Sequence, residues 1–173
     1  MHSSESLSLD NPFWQFSLKV YQQTSVKECC LLLQNSQGAN VNLLLFCCWL
    51  SFFVDPISHE EFKQACDSIG VWHQQITTTL RQARQHAKTF SNNVWVRSFY
   101  NQLLTQEINS EAYQQDMLYS HFSNRPLVFK KDETLALRYL SWLFEDMGVV
   151  VDKKLNLQLK NFIDLILNTF TSY

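Results

Sequence analysis

Arg81, Arg84, Lys88 and Arg97 stand in a stretch with no acidic residue between Asp67 and Glu107, alongside His73 and His86. Arg81, Arg84 and Lys88 follow helical spacing and share one side of a wheel. An apolar stripe of Trp72, Ile76, Leu80, Ala83, Ala87 and Phe90 lies opposite. On that reading the cations face solvent as a basic strip about 10 Å long. Such a strip suits an anionic partner, either an acidic protein surface or the phosphates of RNA or DNA. Its cations are few beside the roughly 6–10 phosphate contacts of a strongly salt-dependent binder. An acidic protein surface is therefore the first expectation, and nucleic acid through residues 81–97 the second.

A second constellation surrounds Asn42, a polar residue inside the most apolar segment, Val41 to Val54. A buried amide without partners costs on the order of a few kcal/mol, so Asn42 must be hydrogen-bonded. Either it orients the first turn of its helix against a neighbour, or it lines a pocket with Trp14, Tyr21 and Trp49. Aromatics at helical spacing are more often core than pocket.

Other chemistry finds little support. Three isolated glycines make no loop that could bring backbone amides onto a phosphate. No serine is flanked by glycines as a nucleophile's would be, so an enzyme site could be assembled only in space. His59-Glu60-Glu61 lacks the second histidine of a helical zinc site, and neither Cys-x-x-Cys nor Glu-x-x-His occurs. Neither a metal nor another cofactor is expected.

The elements that must position these residues read as helices. Three Gly and three Pro in 173 residues are too few for the turns of a β-rich domain. Asp10 or Asn11 with Pro12 starts a helix carrying Trp14, Leu18 and Tyr21. Ser25 and Glu28 have capping-box spacing, and Gly38 closes the second helix. Asn40 caps the third, which is apolar on nearly every side and belongs at the centre. Ser58 and Glu61 cap a fourth helix that ends near Gly70, and the fifth runs over 71–88. Beyond the turn at Asn92-Asn93 come a sixth helix around 96–104 and a weaker, polar one over 110–122. Asp132 caps another, which ends at Gly148. Val149–Val151 is briefly strand-like, and an apolar helix follows from Leu155.

The expected fold is all-α, a compact bundle of about eight or nine helices. A core domain spans 9–147, and 148–173 forms an appended helix. In that helix Leu157, Leu165 and Leu167 fall off the main apolar stripe, which points to a homodimer through its outer face. The alternative is a groove that buries both faces. The five cysteines are odd in number and sit in apolar runs, as reduced, buried thiols do. The N-terminus has no positive charge leading into an apolar stretch, and the longest apolar run is short of the ~20 residues of a spanning helix. A soluble, cytoplasmic protein is expected, and a net charge of −2 calls for neither a membrane surface nor nucleic acid as a whole.

Asn11-Pro12-Phe13-Trp14-Gln15-Phe16-Ser17-Leu18-Lys19-Val20-Tyr21 and Gly38-Ala39-Asn40-Val41-Asn42-Leu43-Leu44-Leu45-Phe46-Cys47-Cys48-Trp49-Leu50 resemble an uncharacterised bacterial family of small proteins, known as a domain of unknown function. Thr79-Leu80-Arg81-Gln82-Ala83-Arg84 through Lys88 is a weaker match, and the resemblance covers about the first 100 residues. It implies a small bacterial cytosolic protein with this helix order, and it carries no activity or catalytic residues with it. The functional expectation is a protein–protein interaction or accessory module. An RNA- or DNA-associated accessory protein comes next, and a small-molecule enzyme of unknown reaction third.

Overall fold

The computed structural model of the chain describes residues 9–90 and 92–171. The polar lead-in expected before residue 9, with His2, lies outside the described residues. The described residues are helical with no strand among them.

Helix α1 (Pro12–Tyr21) starts where the Asn11 side chain accepts the Trp14 N–H at 2.9 Å, with Pro12 at the first helical position. Helix α2 (Thr24–Gln37) follows at once and has no side-chain cap. The spacing of Ser25 and Glu28 does not set its start, because α1 ends at Tyr21 and the tight turn places Ser25 already inside the first turn of α2. Gly38 ends it at φ 73°, a left-handed conformation that a residue without Cβ adopts freely.

Asn40 caps α3 (Val41–Phe53), which is the bundle's centre and packs against α1, α2 and two later helices. Leu44, Phe46, Cys47, Cys48, Leu50 and Phe52 are wholly buried. Its last carbonyls, otherwise orphaned, accept from the loop after Pro126: Val128 donates to Phe53 at 3.0 Å and Lys130 to Phe52 at 2.7 Å. All five cysteines are free thiols. Burial pushes the thiols of Cys47 and Cys48 far above their ordinary range, so both stay neutral and pack as small hydrophobes.

Helix α4 (His59–Ser68) opens on the Ser58–Glu61 capping box. Helix α5 covers 70–88 and is interrupted by a π-helical segment, His73–Thr77. Helix α6 (Val94–Ser120) is one rod where the sequence pattern suggests two, since its polar middle is matched by a polar neighbour. Asp132 caps α7 (Glu133–Asp146), whose Tyr139 hydroxyl accepts the Ile57 N–H at 3.0 Å. Val149–Val151 forms no strand: β-branched residues favour an extended chain, but there is no partner strand to pair with.

In α8 (Lys153–Thr171) Leu155, Leu159, Phe162, Ile163, Ile166 and Leu167 are buried in the same cluster as the cores of α1, α3 and α7. Of the off-stripe leucines, Leu167 is buried, Leu165 half-buried and Leu157 exposed.

Burial ranks the substitutions. Leu44→Ala should destabilise by about 2–5 kcal/mol in urea unfolding. Leu157→Ala, at a site 69% exposed, should stay within about 0.5 kcal/mol. Equal losses would mean that α3 is not the centre.

Candidate functional site

Folding back at Asn92-Asn93 brings α5 and α6 together as an antiparallel hairpin. Residues equally distant from the turn then face each other. Thr77 meets Ser110, with hydroxyl oxygens 3.0 Å apart. Arg81 meets Glu107 and Glu111, through Nε to Glu107 Oε1 and Nη2 to Glu111 Oε1, both at 3.0 Å. Arg84 donates from Nε to Glu107 Oε2, from Nη2 to Glu107 Oε1 at 3.3 Å and from Nη1 to the Tyr100 hydroxyl at 3.2 Å.

The outward strip expected for these cations is therefore corrected. Arg81 and Arg84 turn toward α6, whereas Ile76, Ala83 and Phe90 of the expected buried stripe are exposed. The reason is the π segment. An i→i+5 turn holds about one residue more than an α turn, so the face that begins at Trp72 continues through Thr77 rather than Ile76. The inward face is then polar, and it is tolerated because α6 offers Glu107, Ser110, Glu111 and Gln114 at matching helical spacing. Trp72 stays half-buried, its indole N–H donating to the Ser110 carbonyl at 3.0 Å.

Glu107 is the hub of this seam, its side chain only 7% exposed. Burial would raise its pKa, but bonds to Arg84 and Arg81 outweigh that and hold the carboxyl below its ordinary range. The bond to Glu107 in turn raises Arg84. Glu111 moves the other way: burial pushes it up, the neighbouring Glu107 charge adds to this, and Arg81 only partly opposes it. His73 is lowered by burial and by Arg81, against its contact with Gln114, so it is neutral at physiological pH.

A cleft of about 560 Å³ opens between this wall and the α1–α2 hairpin. Trp14 and Tyr21 line it from α1, and Arg81, Arg84, Glu107 and Glu111 from the opposite side. Burial pushes the Tyr21 phenol up to about 12.

The floor is an amide network. Asn40 donates to Gln114 Oε1 at 3.0 Å, and Gln115 donates to Asn42 Oδ1 at 2.7 Å. Gln114 donates to Thr77 Oγ1 at 2.6 Å and lies 3.3 Å from His73 Nδ1. Asn42 thus fixes the start of α3 against α6 and also lines the cleft. Trp49 does not join them. It is buried in the core against Phe13, with ring centroids 5.4 Å apart.

Lys88 and Arg97 lie apart from the cleft, exposed and in no ion pair among the described residues. They flank the turn end of the hairpin, where Phe90, Val94, Trp95 and Phe99 are exposed. Trp95 and Phe99 stack at 5.4 Å. None of the described residues over 78–106 is buried, so this arm has no apolar core of its own.

Sequence reasoning reaches one side of the ion network and not Glu107, Glu111, Ser110 and Gln114. The signal for them was available: the first acids after the acid-free gap share helical spacing, and the turn at Asn92-Asn93 folds them back onto Arg81 and Arg84. Among the described residues no group of three His, Cys, Asp or Glu side chains is placed to hold a metal, and no helix is long and apolar enough to cross a membrane.

The chain is thus an all-α domain with a self-neutralised polar cleft beside an aromatic-tipped helical arm. Residues 12–118 match the family described as Protein of unknown function (DUF2390), and the chain belongs to that family. The matched region runs from α1 nearly to the end of α6 and so contains both the cleft and the arm. No curated protein and no solved structure matches the chain.

The ion network sets a pH dependence. Glu107 has a folded pKa below its ordinary 4.5, so its stabilisation is complete above that pH and is lost as pH falls through the folded value. Glu107→Gln should flatten the loss of stability below pH 4.5. Glu107→Ala should cost about 3 kcal/mol at neutral pH, the low end for a broken buried pair because both guanidiniums keep an edge to solvent. Lys63→Ala, which breaks the exposed pair with Asp67, should leave the urea midpoint nearly unchanged. Matching effects of the two alanines would contradict the buried hub.

Proposed function

We propose that this domain is a protein-interaction module and that the turn end of the α5–α6 hairpin is its docking face. The partner is a protein segment that combines acidic and apolar residues. The observation that carries this reading is the exposed set Phe90, Val94, Trp95 and Phe99 flanked by the unpaired Lys88 and Arg97. Large aromatics left in water at one end of a hairpin are the kind of group that anchors an interface, and Arg is enriched beside them. The absence of acids between Asp67 and Glu107 leaves the tip positive and gives it complementarity to acidic residues.

The same aromatics and cations favour nucleic acid as a second reading, through base stacking and phosphate contacts. It is weaker because Arg81 and Arg84 are committed to Glu107 and Glu111, leaving Lys88 and Arg97 for phosphates. Self-association through α8 rests on Leu157, since Leu167 is buried and Leu165 half-buried.

A photo-crosslinking residue in place of Trp95 tests the docking face in the source cells. One discrete protein adduct is expected, absent when the crosslinker replaces the equally exposed Leu157 and abolished by Lys88→Glu with Arg97→Glu. A nuclease-sensitive adduct, or the same adducts from both positions, would overturn the proposal.

A further inference from the structure

We propose that the cleft between the α1–α2 and α5–α6 hairpins is a binding site for a small uncharged molecule that donates an amide or lactam N–H from an apolar or aromatic body. The inference is independent of the docking face, which lies at the far end of the arm. At about 560 Å³ the cleft is within the range of roughly 300–1,000 Å³ that small-molecule sites occupy.

Its charges select against charged ligands. Two guanidiniums, Arg81 and Arg84, face two carboxylates, Glu107 and Glu111, and bind one another. An anion entering this wall meets the carboxylates, and a cation meets the guanidiniums. Lys27 lines the cleft as well, but is exposed, with its ammonium 5.9 Å from the Tyr21 ring centroid.

Its unsatisfied groups select for a donor. Gln115 is 2% exposed, and while its Nε2 donates to Asn42, its Oε1 has no hydrogen-bond partner. The Ser17 hydroxyl, on α1, is likewise buried and without a partner. Among the described residues these are the two buried side-chain polar atoms left unsatisfied, and both residues line this one cleft. Buried polar groups are satisfied in the great majority of cases, so two exceptions on residues of different helices that line one cavity call for a guest. An amide oxygen can only accept, which requires the guest to donate. Both atoms are buried, so a guest reaches them as neighbouring side chains of the cleft wall move aside. Trp14 and Leu18 on one side, with Leu104 and Ile108 on the other, supply apolar walls for its body.

Three probes of one shape and different charge test this: phenylacetamide, phenylacetate and phenethylamine, titrated to millimolar concentration into the full ¹⁵N-labelled chain. Phenylacetamide should give saturable shifts of the Gln115 side-chain amide and the Trp14 indole N–H. Phenylacetate, which has no N–H to donate, should bind at least about tenfold more weakly, the effect of leaving one hydrogen-bonding group unmatched. Phenethylamine should bind more weakly by a similar factor because its ammonium meets the guanidiniums of Arg81 and Arg84. Ser17→Ala and Gln115→Met should each weaken the amide about tenfold. If Gln115→Met does not fold, Ser17→Ala carries the comparison. Absence of saturable shifts would mean that the cleft does not take an uncharged N–H donor, and this overturns the proposal. Equal binding of all three probes, or binding unchanged in the folded variants, does so too.

Discussion

The Glu107 carboxylate held between the guanidiniums of Arg81 and Arg84 decides how the α5–α6 hairpin is put together. A carboxylate that is almost fully buried must have compensating partners, and these two arginines supply them. Once they do, the polar face of α5 is committed to α6, and Ile76, Ala83 and Phe90 are left toward solvent. The wall of the cleft, the exposure of the aromatic tip and the freedom of Lys88 and Arg97 all follow from that one commitment. The π segment is its geometric counterpart, because it carries the line that begins at Trp72 to Thr77 rather than Ile76, and Arg81 and Arg84 follow Thr77 at ordinary helical spacing.

The molecule consequently has two regimes of stability. Around α3 the free energy comes from apolar burial, with Phe13, Phe46 and Trp49 in mutual contact and α7 and α8 closing over them. Along 78–106 no described residue is buried, and the hairpin is held by ion pairs and hydrogen bonds. Local opening is easiest where buried apolar contacts are few. An arm with so few buried contacts fits the proposed docking face, and its inner side forms one wall of the cleft.

Much of the fold is legible from local chemistry. Asn11, Asn40, Asp132 and the Ser58–Glu61 box cap helices where the sequence places them, and Gly38 and Gly148 end helices with positive φ. The central position of α3 follows from its apolar residues on every side. What is not legible depends on partners distant in sequence. A uniform 3.6-residue period cannot anticipate a π turn, so the inward face of α5 comes out rotated: Arg81 and Arg84 are half-buried beside Leu80 and Ala87, while Ile76 and Ala83 are exposed. The polar middle of α6 reads as a break until Arg81, Arg84 and Thr77 are known to cover it. Trp14, Tyr21 and Asn42 do line a common cleft, whereas Trp49, about two helical turns beyond Asn42 along α3, belongs to the core.

The most direct measurement is a carboxyl-detected NMR titration of the glutamates in the folded full chain. Glu107 should titrate below the ordinary 4.5 and Glu111 above it, because one carboxyl is bound by two guanidiniums while the other is partly desolvated beside a like charge and shares only Arg81. Both carboxyls titrating together at the ordinary value would mean that they are solvated and that Arg81 and Arg84 stand free, contradicting the buried hub on which the cleft and the arm depend.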